Sequence, residues 1–293
     1  GVVALTRPEE ILEPVRLTRV DPYRPAFEPP AGSSPVAWLK SSLVEPPDMV
    51  TPPTPEDTAE SLALAAAPGE YESVGIAFVA RRTLQSPVAT LGALRSGDAV
   101  LPASAARVRW TRRQLKRVQY KRPREDSVFR WRFLWDDAPA SVAAGHLRHL
   151  TITVRVPEGT APGTYTGALS LRAATLSEPV TLPVRVSVAP FRLVEPEKRV
   201  GCYYRGHNKS DEQVSRELRD IREHGGSVLV WHARATYEET EGGDIICNTE
   251  AVERAVRLQA AQGIGPPFLV SPRPRQAAAR AGLRVRMSPQ FAV

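Results

Sequence analysis

Across residues 62–193 apolar and polar positions alternate with a period of two, the pattern of strands buried on one face. Over residues 149–156 the apolar set is Leu150, Ile152, Val154 and Val156, while Thr151, Thr153 and Arg155 face the other way. Residues 157–163 (PEGTAPG) form a turn cluster, and Tyr165, Gly167, Leu169 and Leu171 then share one face, so the two runs read as a β-hairpin. Val180, Leu182, Val184, Val186 and Val188 make a third run, in which Pro183, unable to donate to a ladder, predicts an edge strand or a bulge. Residues 61–66 and 71–80 flank Pro68 and Gly69 and supply two more strands. Short strands separated by turn signals predict an antiparallel sandwich over residues 58–195.

After Pro196 the pattern changes. Residues 200–204 are a short apolar run, and residues 210–225 read as an amphipathic helix with Ser210 or Asp211 as N-cap, Val214, Leu218 and Ile221 at helical spacing, and Gly225 with Gly226 as the stop. Residues 228–231 predict a second strand. Residues 248–262 predict a second helix capped by Asn248, and residues 267–270 begin a third strand. This β/α alternation predicts a parallel sheet over residues 196–293. The fold class expected is therefore mainly β, an antiparallel sandwich followed by a partial α/β segment.

Composition adds the opening segment. Of 28 prolines, 12 precede Glu60, so residues 1–57 are expected to be short extended pieces, with a strand over 36–44 anchored by Trp38. No apolar run approaches the ~20 residues of a membrane helix. Two cysteines, Cys202 and Cys247, are too few for a disulfide scaffold. The net charge of +7 is concentrated: residues 107–124 carry nine basic residues and no acidic one, and the remainder is slightly acidic.

Several of these stretches resemble the N-terminal β-sandwich of glycoside hydrolase family 123. They are Pro68-Gly69-Glu70-Tyr71-Glu72 opening a strand, Ala144-Gly145 before a long strand, the segment VPEGTAPGTYTG at 156–167, and Pro190-Phe191 before a β/α region. The resemblance spans roughly residues 61–270. It implies a following (β/α)8 barrel that cleaves terminal N-acetylhexosamine with the substrate's own acetamide as nucleophile, using an adjacent Asp-Glu pair and no cofactor. It also implies an extracellular or periplasmic location. A complete barrel takes ~250 residues, whereas 96 run from Lys198 to Val293, and no Asp or Glu occurs after Glu253. The chain is thus expected to lack the catalytic pair, to be inactive as it stands, and to be truncated. Residues 282–293 lack the helix expected after a third strand.

Candidate chemistry gathers at strand ends. Tyr204, Arg205 and His207 follow the first β/α strand, and Trp231 and His232 end the second, so all five are expected near the mouth of the sheet. Aromatic faces there can stack on sugar rings, and Arg or His can bond hydroxyls. The competing reading makes the aromatics core residues and the histidines surface residues. Glu238-Glu239 is expected in a solvated acidic loop, and Asp136-Asp137 in a turn. His146 and His149 lie on a sandwich strand without an acidic partner, so no metal site is expected. The basic stretch holds Trp110 and Tyr120, an arrangement seen at nucleic-acid sites, but its place between strands favours a solvated loop or hairpin, and no nucleic-acid partner is expected. The expected partner is an N-acetylhexosamine-containing glycan; the alternative is a non-catalytic sandwich module that binds carbohydrate or packs on a partner domain.

Overall fold

A computed structural model describes residues 21–42, 49–117, 127–194, 197–231, 233, 236–239, 241–242 and 245–265. The chain divides into two compact units, residues 1–193 and 194–293. The first carries, in chain order, β1 (Val36–Lys40), β2 (Leu62–Ala66), β3 (Tyr71–Ala80), β4 (Leu84–Gln85), β5 (Val88–Leu91), β6 (Leu94–Ser96) and β7 (Ala99–Leu101). It continues with β8 (Ala106–Arg117), β9 (Ser127–Trp135), β10 (Ser141–Val142), β11 (Leu147–Arg155), β12 (Gly163–Arg172) and β13 (Val180–Val188). One antiparallel sheet has the order β1-β3-β11-β8-β9. A second has the order β2-β13-β12-β6-β7, with β5 also on β12 and β2 parallel to β13.

The alternation explains the core between the sheets. Ile76, Phe78, Leu150, Ile152 and Val154 from the first sheet meet Leu64, Tyr165, Leu169, Leu182, Val184 and Val186 from the second. Phe78 packs edge-on between Trp38 and Trp110, with ring centroids 5.5 and 6.2 Å away, the geometry the aromatic quadrupole favours. In β3 burial is continuous from Gly75 to Ala80, because on the opposite face Ala77 and Val79, with their sheet neighbours Leu39 and Leu147, cluster with Phe27.

That second covering comes from the proline-rich segment, which is strapped to the sandwich and contributes β1 as the edge strand of the first sheet. Prolines leave carbonyls without N–H donors, and arginines of the sandwich supply the donors. Arg81 donates to the carbonyls of Pro30, Ala31, Ser34 and Val36 at 2.7–3.0 Å. Leu147 N donates to Tyr23 O at 2.9 Å, and the Arg148 guanidinium lies 3.4 Å from the Tyr23 ring centroid.

Two expectations are corrected. The turn over 157–163 joins β11 of one sheet to β12 of the other, so the pair is an arch between sheets and not a hairpin. Both strands turn apolar faces to the same core, and the alternation alone does not distinguish neighbours in one sheet from partners across two. Thr160 N and Oγ1 both donate to Pro157 O, and Gly69 N donates to Val156 O at 2.7 Å, tying this arch to the Pro68–Gly69 turn. The histidines also differ from expectation: His146 Nε2 lies 2.8 Å from Asp21 Oδ2, an acidic partner brought in by the strap from far along the chain. Pro183 faces Ala168 on β12 and lies just outside the stretch of β13 paired to β2, which begins at Val184.

In the second unit β14 (Gly201–Tyr204) and β15 (Val228–Trp231) are parallel and joined through α1 (Asp211–Glu223). Ser210 caps α1, its Oγ accepting from Gln213 N at 3.2 Å, and Gly225 ends the helical segment at φ +87°. Next come β16 (Thr236–Glu239) and β17 (Ile245–Asn248), an antiparallel pair, then α2 (Glu250–Ala261). Glu238 and Glu239 thus lie on a strand, in register with Ile246 and Ile245, and not in a loop; a four-residue strand is too short for its alternation to show. Thr249, not Asn248, is the N-cap of α2, although Asn248 Oδ1 accepts from Glu250 N at 3.0 Å. The strand expected over 267–270 lies outside the described residues. Val214, Leu218, Leu229, Ala255, Leu258 and Ile264 form the core with Tyr204 and Trp231.

Candidate functional site

The segment after β14 is the best-built polar site of the second unit. Tyr204 and Trp231 are cross-strand partners at the C-terminal ends of β14 and β15, and their rings meet edge to face, centroids 5.1 Å apart at 82°. They are only 6% and 2% exposed. Gly206 lies directly against the Trp231 indole, where a side chain would collide with the ring. Both aromatics therefore form the frame of the site, while Arg205 and His207 stand exposed on the segment they support. His232 lies outside the described residues.

Four residues not singled out from the sequence hold this segment. Glu217, one turn and a half into α1, accepts from the Tyr204 hydroxyl at 2.7 Å, from Lys209 Nζ, and from Gln213 Nε2 at 3.1 Å. Burial alone would raise the Glu217 carboxyl; the bonds from Lys209, Tyr204 and Gln213 outweigh it and hold the group below its usual range. The Tyr204 hydroxyl is pushed well above its ordinary value, by burial first and by Glu217 second. From α2, Arg254 donates to Asp211 Oδ1 at 2.6 Å and to Lys209 O at 2.8 Å. Asp211 is held low chiefly by that bond to Arg254.

The chemistry this permits is recognition. Glu217 is ionised at neutral pH with both oxygens engaged, so it is not poised to give up a proton as a general acid does. Arg205 and His207 can offer N–H donors to hydroxyl or carbonyl oxygens from a loop fixed at both ends. The signal for Glu217 was present in the sequence, three residues after the apolar Val214 on the face turned back toward β14, but its partners became visible only once the strand–helix crossover was built. Asp136, expected in a turn, follows the end of β9 and accepts from Arg107 Nε at 2.8 Å.

No protein-family model matches the sequence, and no curated protein matches it. Among solved structures it is similar to a family 123 glycoside hydrolase from Clostridium perfringens studied for glycolipid glycan hydrolysis: TM-score 0.60, 12% identity, 73% of this chain and 44% of that one covered. A PapD-like domain of human CEP192 (TM-score 0.24, 11% identity, 63% and 98% covered) and a family 20 exo-β-N-acetylglucosaminidase from Vibrio harveyi (0.18, 11%, 69% and 36%) are far more distant. The likeness to the family 123 enzyme is one of fold alone, and this chain is mainly β. The chain spans less than half of that enzyme's length.

Proposed function

We propose that this chain is a glycoside hydrolase-like protein of the N-acetylhexosaminidase type that binds N-acetylhexosamine-containing glycans through the segment after β14 and does not itself hydrolyse them. Arg205 and His207 make the direct contacts, His232, next in sequence after Trp231, is the third candidate, and Tyr204 with Trp231 fixes the frame beneath. The β14–α1–β15 unit is on this reading the first repeat of a barrel-like segment within residues 196–293. The observation that carries the reading is the pairing of an exposed Arg205 and His207 with a buried, clamped base at the C-terminal end of a parallel strand, the end where α/β proteins gather ligands. The family 123 likeness of fold supports the sugar class, and a Glu217 carboxylate with both oxygens engaged supports recognition without proton transfer at this segment.

Calorimetric titration with N-acetylgalactosamine- and N-acetylglucosamine-terminated oligosaccharides tests it. Binding is expected in the natural protein and at least tenfold weaker in Arg205→Ala and His207→Ala, with no release of nitrophenol from the aryl glycosides above buffer. Heat signals unchanged by both substitutions would sink the assignment. Turnover lost in Glu238→Gln or Glu239→Gln would move the active site to β16.

A further inference from the structure

The long hairpin of β8 and β9 has a composition that the sandwich does not need. β8 pairs with β11 only from Ala106 to Thr111, whereas its pairing with β9 runs on to Arg117 and Ser127, so the arm extends beyond the sheet that carries it. The two strands, residues 106–117 and 127–135, hold eight basic residues and no acidic one, more positive charge than the whole chain carries net. Asp136 engages Arg107 and Arg109 at the base, but Arg130 and Arg132 on β9 are exposed, and the Arg112 guanidinium lies 3.6 Å from the Trp135 ring centroid.

Charge alone has a modest explanation: β9 ends its sheet, and charged residues on an edge strand discourage pairing with other chains. That explanation predicts few large apolar side chains. Here Leu115 and Leu134 are 53% and 45% exposed, and Phe133 and Trp135 are 44% and 42% exposed. The register divides these between the two faces of the arm. Leu134 faces Thr111, whose hydroxyl points away from the sandwich core to His149, and Trp135 faces the core residue Trp110. A soluble polyanion such as nucleic acid uses cations and open aromatic faces and has no use for exposed leucines. Leu, Phe and Trp interleaved with arginines on both faces match a lipid interface, where apolar tips enter the acyl boundary and guanidinium groups stay at the headgroups.

We propose that the β8–β9 arm docks this protein peripherally on an anionic membrane surface. The proposal is independent of the glycan site, because it concerns a different unit of the chain. Basic residues near such a surface add attraction one by one, so the exposed Arg130 and Arg132 together with the half-buried Arg112 suffice for a marked preference over neutral lipid.

Co-sedimentation of the full chain with phosphatidylcholine vesicles, with and without phosphatidylglycerol, tests it. Binding is expected only to the anionic vesicles. The variant R112E/R130E/R132E should weaken it by roughly a hundredfold or more, and L115S/L134S by about tenfold, with circular dichroism unchanged. If the leucine variant does not fold, the arginine variant still decides the charge requirement, and a blue shift of tryptophan fluorescence on anionic vesicles that is lost in Trp135→Tyr decides insertion. No sedimentation with anionic vesicles, equal sedimentation with neutral ones, or binding indifferent to the substitutions overturns the proposal. So does capture by heparin or single-stranded DNA that exceeds vesicle binding and ignores the leucine changes, which would assign the arm to a soluble polyanion.

Discussion

The two units reach order by different means. The first buries apolar faces of two sheets against each other and covers one of those sheets on its far side as well, so hydrophobic area dominates. The second has strands of four residues and a small core, and the segment that matters most is tied down by Tyr204–Glu217–Lys209 on one side and by Arg254–Asp211 on the other. Apolar burial is insensitive to pH and salt; hydrogen-bonded ion pairs are sensitive to both. Ion pairs therefore make the second unit the more salt-responsive of the two, whereas the sandwich answers to pH through one buried histidine, His149.

The largest effect should come from Phe78→Ala. Phe78 is fully buried between two tryptophans, and the substitution is expected to cost about 3–5 kcal/mol in denaturant unfolding. If hydrogen exchange shows the second unit losing protection equally, the contrast between the units breaks down.

The next effect is a pH dependence confined to the sandwich. His149 is buried beside Thr111, and desolvation lowers its folded value from 6.5 to about 4. The unfolded chain then binds the proton more readily, so the stability His149 contributes is complete above pH 6.5 and lost as pH falls from 6.5 through about 4. The loss is about 3 kcal/mol. Chemical denaturation at several pH values should show this slope, and His149→Asn should flatten it relative to the natural protein.

Gly206→Ala should act on the second unit alone. A methyl group there meets the Trp231 indole, an overpacking worth about 1–3 kcal/mol. Exchange protection in α1 and α2 should fall while the sandwich strands are unchanged. The smallest effect belongs to Glu217. Its folded value is depressed, so its contribution is present above the ordinary carboxylate range and fades as pH drops through the lowered value. Glu217→Gln should remove that acid dependence from α1 exchange; an identical pH profile in the variant would show that the Lys209 and Tyr204 bonds do not hold the segment.

Strands and helices were largely legible because period carries that information locally. β3, β13, β15 and α1 fall within a residue or two of the expected limits. Pairing was less legible: residues 157–163 were expected to close a hairpin but form an arch, and the alternation could not tell the two apart, since both put Leu150 and Leu169 in the same core. The strap was missed as a packing layer because proline-rich segments have no period, yet the unbroken apolar run Ile76–Ala80 was a sign that β3 is covered on two faces. At the candidate site Arg205 and His207 stand exposed where strand ends placed them, while the burial of Tyr204 and Trp231 depends on Gly206, whose lack of a side chain gives no signal in one sequence.

The clasp around residues 22–36 also sets a timetable. Arg113 grips the Pro22 carbonyl 91 residues upstream, and Arg81 grips Ser34 at a separation of 47. A ribosome adding ~5–20 residues per second delivers Arg113 roughly 5–20 s after Pro22, so the carbonyls of this segment emerge well before their donors. During that interval its prolines keep it from donating into a premature ladder. The segment made first is thereby held back to dock on strands made later, and a high contact order is reached without an exposed strand that could pair with a neighbouring nascent chain.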